Sequence, residues 1–98
     1  MSALLDAIAH HETLPDTDYT PTRHPGAVAT VIYTYGSETG PYTYVEHYRD
    51  MEYAEVSYEE DRGSARDNRR RAEKRTPAEM FEEHGGDWIT EVKLKRWI

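Results

Sequence analysis

The five histidines are the residues whose chemistry would suit a metal ion or a proton transfer. His10 and His11 are adjacent, and because neighbouring side chains on a helix point about 100° apart, they cannot chelate one ion as an i, i+4 pair does. His24, His47 and His84 are isolated in the sequence. The chain contains no cysteine and no HExxH or HxH spacing. The sequence therefore predicts neither a metal site nor a cofactor.

Carboxylates are abundant, but their arrangement does not predict catalysis. Hydrolases with paired carboxylates hold two of them in an enclosed cleft with separated pKa values. By contrast, Glu59, Glu60 and Asp61 are consecutive, which is typical of a solvated turn. Residues 36–40 lack the lysine and the following helix of a phosphate-binding loop, and no GxSxG motif supports a serine nucleophile. We therefore expect the protein not to be an enzyme.

The eight tyrosines allow two interpretations. In the first, they are amphipathic sheet residues with a packed ring and a hydroxyl at the sheet edge or in water. In the second, they form a binding face, because tyrosine offers large, rigid contact area and is enriched at interface hot spots. One face of a predicted strand carries Tyr42, Tyr44, Glu46 and Tyr48. An aromatic and acidic stripe of this kind suits a basic or arginine-rich partner.

Charge is distributed unevenly along the chain, whose net charge is −7. Residues 1–61 carry −10, residues 62–75 carry +5 and residues 76–98 carry −2. Between Glu46 and Asp61, seven of sixteen residues are acidic. This density is typical of a solubility or salt-adaptation surface, or of one that mimics nucleic acid, since carboxylates along a strand face are spaced about 6–7 Å apart, roughly as phosphates are. The candidate partner-binding residues are Tyr42, Tyr44, Glu46, Glu52, Glu55, Glu59 and Glu60.

The basic segment 66–75 is the one feature typical of a nucleic-acid-binding protein. The residues outside 62–75 carry net −12, which disfavours the approach of a polyanion. The other interpretation is a surface helix whose arginines pair with the acidic residues between Glu55 and Asp61. The candidate nucleic-acid-binding residues are Arg66, Arg69, Arg70 and Arg71.

These patterns favour a small acidic binding protein that inhibits or regulates a larger, basic, nucleic-acid-handling protein. Phage-encoded inhibitors such as anti-CRISPR proteins use this strategy; the comparison rests on size, acidity and missing catalytic signatures, and is an analogy. One alternative is a nucleic-acid-binding regulator that uses a basic helix over residues 64–75. A second is a structural subunit of a homo-oligomer whose terminal strand pairs across chains.

Length and composition bound the architecture. The 98 residues predict a single domain, and 37% hydrophobic residues against a usual range of about 45–50% predict a small core. No apolar run approaches the roughly 20 residues of a membrane span, and residues 2–8 are too short and acidic for a secretory signal. We therefore expect a cytoplasmic protein without membrane contact, stabilised by packing and hydrogen bonds alone.

Periodicity predicts the elements that must position these residues. Apolar residues at helical spacing predict a short helix over 2–11, and the prolines and polar residues of 12–25 predict an extended arm or loop. The β-branched and aromatic residues of 27–49, interrupted by a turn at 36–41, predict a β-hairpin. Its arms share the tripeptide Tyr-Thr-Tyr, at 33–35 and 42–44, which we expect to lie near each other.

The second half of the chain predicts a mixture of helices and strands. Residues 51–58 alternate as a third strand, although a helical interpretation is also open. Cap signals predict helices over 64–75 and 77–84, and the alternation of 87–98 predicts a terminal strand. The resulting fold class is α+β: an antiparallel sheet of about four strands with helices packed on one face.

Overall fold

A central β-hairpin organises the fold, which is known from a computed structural model that describes residues 7–98. The strands are β1 (Ile8–Leu14), β2 (Ala29–Gly36), β3 (Tyr42–Tyr48) and β4 (Trp88–Arg96), and the helices are α1 (Met51–Ala72) and α2 (Pro77–His84). The four strands form one antiparallel sheet in the order β1-β3-β2-β4. The predicted α+β class and the four-stranded antiparallel sheet are confirmed.

The hairpin of β2 and β3 brings the two Tyr-Thr-Tyr tripeptides near each other, as predicted. Tyr33 lies opposite Tyr44 and Tyr35 lies opposite Tyr42, so the two Tyr-Thr-Tyr tripeptides pair directly. Gly40 has a φ of 117° in the turn, a conformation that glycine adopts without steric cost. Because β2 also pairs with β4, it is a central strand buried on both faces, as its unbroken run of apolar and β-branched residues indicates.

The predicted third strand over 51–58 is wrong, because these residues begin a 22-residue helix. Asp50 caps α1 by accepting a hydrogen bond from the Tyr53 backbone N–H at 3.1 Å. Ala54 and Ala65 are buried about three turns apart on the same face of the helix, which packs against the sheet. The predicted helix over 64–75 is the second half of this same helix, which ends at Ala72 and passes through Gly63 without a break.

The fourth strand is instead β1, so the predicted helix over 2–11 is wrong from Ile8 onward, and residues 2–6 lie outside the described residues. β1 pairs with β3 from Ile8 opposite Tyr48 to Leu14 opposite Thr43. Sheet pairing outweighs the local helical spacing of the apolar residues, because the edge of β3 offers a complete row of backbone partners. The predicted arm therefore begins after Leu14 as irregular chain.

The C-terminal elements follow their local signals closely. Thr76 and Glu79 form the predicted capping box of α2, and Gly85 ends that helix in the left-handed conformation. A β-bulge opposite Thr34 and Tyr35 shifts the alternation of β4, so that Ile89 joins the core and Trp88 packs on Gly36. Within residues 7–98, neither helix is long and apolar enough to cross a lipid bilayer.

Candidate functional site

The predicted tyrosine stripe of β3 lies on the sheet face that packs against α1. Glu46 stands in its centre: the Tyr48 hydroxyl donates to Oε1 at 3.1 Å, and the Tyr44 hydroxyl donates to Oε2 at 3.4 Å. Tyr48 is 1% exposed and also hydrogen-bonds to Ser57 of α1 at 3.0 Å. Tyr48 is therefore a core residue that joins sheet and helix, whereas Tyr42 and Tyr44 keep part of their surface in solvent.

Tyr42 and Tyr44 line an open groove of about 300 Å³ together with Tyr35 and Thr13, which we call the tyrosine groove. The Tyr35 and Tyr42 rings are stacked with centroids 5.5 Å apart, and Tyr44 meets Tyr35 edge-on at 6.5 Å. The Tyr42 hydroxyl donates to Asp87 Oδ2 at 2.7 Å. Burial, followed by the neighbouring carboxylates, raises the pKa of Tyr42 and of Tyr44 to about 12, so both hydroxyls stay protonated at neutral pH.

The other predicted partner-binding residues lie on the solvent side of the first half of α1. Glu52, Glu55, Glu59 and Glu60 are all exposed. Because α1 is a helix, Glu52, Glu55 and Glu59 share one side through i, i+3 and i+7 spacing rather than through the strand alternation expected for 51–58. Glu55 meets Arg96 at 3.7 Å and Glu59 meets Arg62 at 3.5 Å, and exposed pairs of this kind are weak.

Two apolar side chains interrupt this acidic side of α1. Tyr53 is 36% exposed and Val56 is 48% exposed, and together with Glu52 they line a shallow cavity of about 230 Å³. The strand interpretation of 51–58 did not predict this apolar pair, since it places Tyr53 and Val56 on opposite faces. The helical period places both on the solvent side. Large apolar residues inside a charged surface are typical of an interface core.

Asp61 links the acidic side of α1 to the β3 stripe. Burial, followed by the negative charges of Glu60 and Glu46, raises the pKa of the Asp61 carboxyl. The fold thus brings Glu46 of β3 close enough to Asp61 to repel its charge, although Asp61 was not among the predicted site residues. We call this cluster, with Glu52, Glu55 and Glu59, the acidic surface.

Replacing Asp61 with asparagine should raise the free energy of unfolding at neutral pH, because the substitution removes a carboxylate that its neighbours repel. A pKa raised in the folded state means that the carboxyl favours folding below about pH 4 and loses that contribution as it ionises. The gain should stay below about 1 kcal/mol, since solvent screens a partly exposed group. Urea unfolding should show the gain at neutral pH and none near pH 3–4. An equal change in Glu82→Gln, on exposed α2, would contradict this explanation.

The predicted nucleic-acid-binding arginines lie on the second half of α1 and divide into two pairs. Arg69 donates to the Thr90 carbonyl of β4, and Arg71 contacts Glu83 of α2 at 3.4 Å. All four arginines are exposed, and Arg66 and Arg70 point away from these two contacts along the helix surface. Residues 51–61 carry −5 and residues 62–72 carry +4, an order that complements the helix dipole. Half of the predicted basic set therefore docks α1 onto its neighbours.

Three histidines that are distant in the sequence form a stack on the opposite face of the sheet. The His10 ring lies 4.8 Å from that of His24 and 5.9 Å from that of His47, and the rings of His24 and His47 are 5.4 Å apart. His24 and His47 are therefore not isolated in the fold. Among the described residues, no group of histidine and acidic side chains has the arrangement needed to hold a metal ion.

Comparisons with known proteins identify no relative of this chain. No protein-family model, no curated protein and no solved structure matches it. The acidic surface and the tyrosine groove are therefore the features of the molecule that indicate a function.

Proposed function

We propose that the protein is a small non-enzymatic binding protein that inhibits or regulates a larger, basic, nucleic-acid-handling protein. The observation that carries the proposal is the row of exposed carboxylates on α1, continued by Glu46 and Asp61 on two elements; burial first, and then the charges of Glu60 and Glu46, raise the pKa of Asp61. A stable protein concentrates like charges at a cost to its own stability, and a basic partner would relieve that cost.

The charge density of α1 also suits a partner that normally binds nucleic acid. Glu52, Glu55 and Glu59 place three carboxylates along about 10 Å of helix axis, at a rise of about 1.5 Å per residue. A nucleic-acid strand carries one phosphate per about 3.4 Å. The carboxylates of α1 are therefore sparser, about one per 5 Å of axis, but they form a row of negative charge that would attract the same basic channel.

Tyr53 and Val56 add an apolar anchor within this charged surface. Interfaces derive most of their affinity from a desolvated centre rich in aromatic residues, while rim charges govern the rate of encounter. The exposed Tyr53 and Val56 supply such a centre, with Glu52, Glu55 and Glu59 around it. This combination favours a protein-binding surface over a surface built only for solubility. In size and acidity the chain is analogous to phage-encoded inhibitors of the anti-CRISPR type.

Charge reversal on α1 provides the direct test. The triple variant Glu55→Lys, Glu59→Lys, Glu60→Lys should lose at least about tenfold in affinity for the partner, because it replaces attraction by repulsion across the contact. The matched control is Glu38→Lys, Glu73→Lys, Glu82→Lys, which changes net charge equally at exposed positions away from the acidic surface. Partners would be captured from a nuclease-treated extract of the source cells with each variant as bait.

The function itself is measured by displacement. A mobility-shift assay with the captured protein and its nucleic acid should show release of the nucleic acid on addition of the wild-type chain and of the control, but not of the α1 variant. Equal displacement by the α1 variant would contradict the proposal. So would a shift of nucleic acid by the wild-type chain alone that disappears in Arg66→Ala, Arg70→Ala.

A further inference from the structure

The tyrosine groove is a separate feature from the acidic side of α1, and its walls have a definite chemistry. Tyr35 and Tyr42 are nearly parallel, with an interplanar angle of 12°, and Tyr44 stands edge-on beside them. Thr13 of β1 and the His11 ring, 5.9 Å from Tyr44, border the groove on its other side. The groove therefore presents flat aromatic surface that is partly open to solvent.

Carboxylates border these rings at both ends of the tyrosine groove. Asp87 holds the Tyr42 hydroxyl at 2.7 Å, and Glu46 holds that of Tyr44 at 3.4 Å. Burial raises the pKa of Tyr35, and the negative charges of Asp61, Glu46 and Asp87 raise it further. These carboxylates would attract a cation to the groove. The Tyr42 hydroxyl occupies one acceptor position of the Asp87 carboxylate, which has about four such positions. The carboxylate can therefore accept further hydrogen bonds from a bound ligand.

We propose that the tyrosine groove binds an arginine side chain of the partner, with the guanidinium packed on the outer face of the stacked Tyr35–Tyr42 pair and hydrogen-bonded to Asp87. This inference rests on the proposed function for the origin of the arginine. It adds the chemical group that the partner inserts and the residues that receive it.

Arginine fits this groove better than other ligands that favour aromatic walls. Its guanidinium is planar, weakly hydrated and able to bind a carboxylate through two parallel N–H groups, whereas a lysine ammonium is compact and strongly hydrated. The base of a nucleotide would also stack on tyrosine, but the phosphate of that nucleotide would be repelled by the carboxylates of Asp87 and Glu46. The outer face of the stacked tyrosine rings suits a flat cation. This stacking contact should raise the affinity about two- to fivefold.

The test uses capped tripeptides and the folded protein in solution. Acetyl-Gly-Arg-Gly-amide would be titrated into the isotopically labelled chain, with its citrulline and lysine analogues as uncharged and non-planar controls. We expect saturable NMR shifts confined to Tyr35, Tyr42, Tyr44 and Asp87, with the arginine peptide binding several-fold more tightly than either analogue. Shifts that map elsewhere, or equal binding of citrulline or lysine peptide, would overturn the assignment.

Variants separate stacking from hydrogen bonding. Tyr42→Leu and Asp87→Asn should each weaken arginine-peptide binding by about two- to tenfold, whereas Tyr42→Phe should keep the stacking contribution. Phe81→Leu, an exposed aromatic position on α2, is the matched control and should bind as wild type. The dispersion of each variant's own spectrum verifies its fold, and unchanged binding in both Tyr42→Leu and Asp87→Asn would overturn the proposal.

The outcomes remain distinguishable from those of the proposed function. The triple charge reversal on α1 should abolish partner displacement and leave arginine-peptide binding intact, since its residues lie outside the tyrosine groove. Failure of the peptide titration alone would remove the arginine site and leave the acidic surface. Failure of the displacement assay alone would remove the proposed partner and leave a groove that binds guanidinium groups.

Discussion

Replacing Tyr48 with alanine should lower the free energy of unfolding by about 3–5 kcal/mol, the range for removing a large aromatic side chain from a core. The ring is 1% exposed and packs in the core cluster with Ala54 of α1. Its hydroxyl also bonds to Ser57 and Glu46, at 3.0 and 3.1 Å. Urea unfolding followed by tryptophan fluorescence measures this loss, which is a large share of a small domain's stability.

Two substitutions calibrate the Tyr48 result. Tyr48→Phe keeps the ring and loses the hydroxyl, and should cost about 1 kcal/mol because the contacts of Ser57 and Glu46 are left incomplete. Tyr53→Ala removes the same side chain from the exposed side of α1 and should change stability by no more than about 0.5 kcal/mol. If Tyr48→Ala were no more costly than Tyr53→Ala, Tyr48 would not be the residue that joins sheet and helix.

Acidification below about pH 6.5 should destabilise the protein through the histidine stack. His47 is 3% exposed and lies 2.8 Å from the Thr30 hydroxyl, which also accepts a hydrogen bond from the Trp97 indole at 2.8 Å. Burial lowers the pKa of His47, positive charge on His24 and His10 lowers it further, and Glu12 opposes the shift. The folded state therefore favours neutral His47.

The direction of the pH effect follows from that shift. A histidine with a lowered folded pKa contributes its full stability above the unfolded value of about 6.5, and this contribution is lost as the pH falls toward the folded value. The free energy of unfolding should fall between about pH 7 and pH 5, before most carboxylates titrate. His47→Gln should flatten this dependence, whereas His84→Gln, at the exposed end of α2, should not. A profile of equal slope in wild type and His47→Gln would contradict the assignment.

Both expected effects concern the framework, and neither Tyr48 nor His47 lies in the tyrosine groove or on the acidic side of α1. The sequence pattern grouped Tyr48 with Tyr42 and Tyr44, because alternation along a strand cannot distinguish a covered position from an open one. α1 covers β3 at Tyr48, through Ser57, and leaves Tyr42 and Tyr44 partly exposed. Helix placement therefore separates a core tyrosine from two tyrosines that stay partly exposed.

Local chemistry made several elements predictable. The Thr76, Pro77 and Glu79 signal predicted α2, because its capping hydrogen bonds join residues three positions apart. The β-branched and aromatic run around a glycine-rich turn predicted the hairpin and the proximity of its Tyr-Thr-Tyr tripeptides. In each case the interactions that form the element lie within the pattern itself.

Residues 8–14 and 51–58 were not predictable in this way, because the spacing of apolar residues in each segment fits both a helix and a strand. Ile8–Leu14 becomes a strand by pairing with β3, more than thirty positions away in the chain for most residues. Met51–Tyr58 becomes helical because Asp50 caps it and Ala54 packs against a sheet that other segments build. Tertiary contacts select between local preferences that differ little in free energy.

By itself, the sequence determined the α+β class, the β-hairpin and the unequal distribution of charge, since these depend on composition and on neighbours along the chain. Only the tertiary structure decided that the charge of Glu46 acts on Asp61, that Asp87 borders the tyrosine rings and that His10, His24 and His47 stack. The physical reason is distance along the chain. Electrostatic repulsion, ring stacking and burial act between side chains within a few ångströms, and folding brings those side chains together from segments with no shared local pattern.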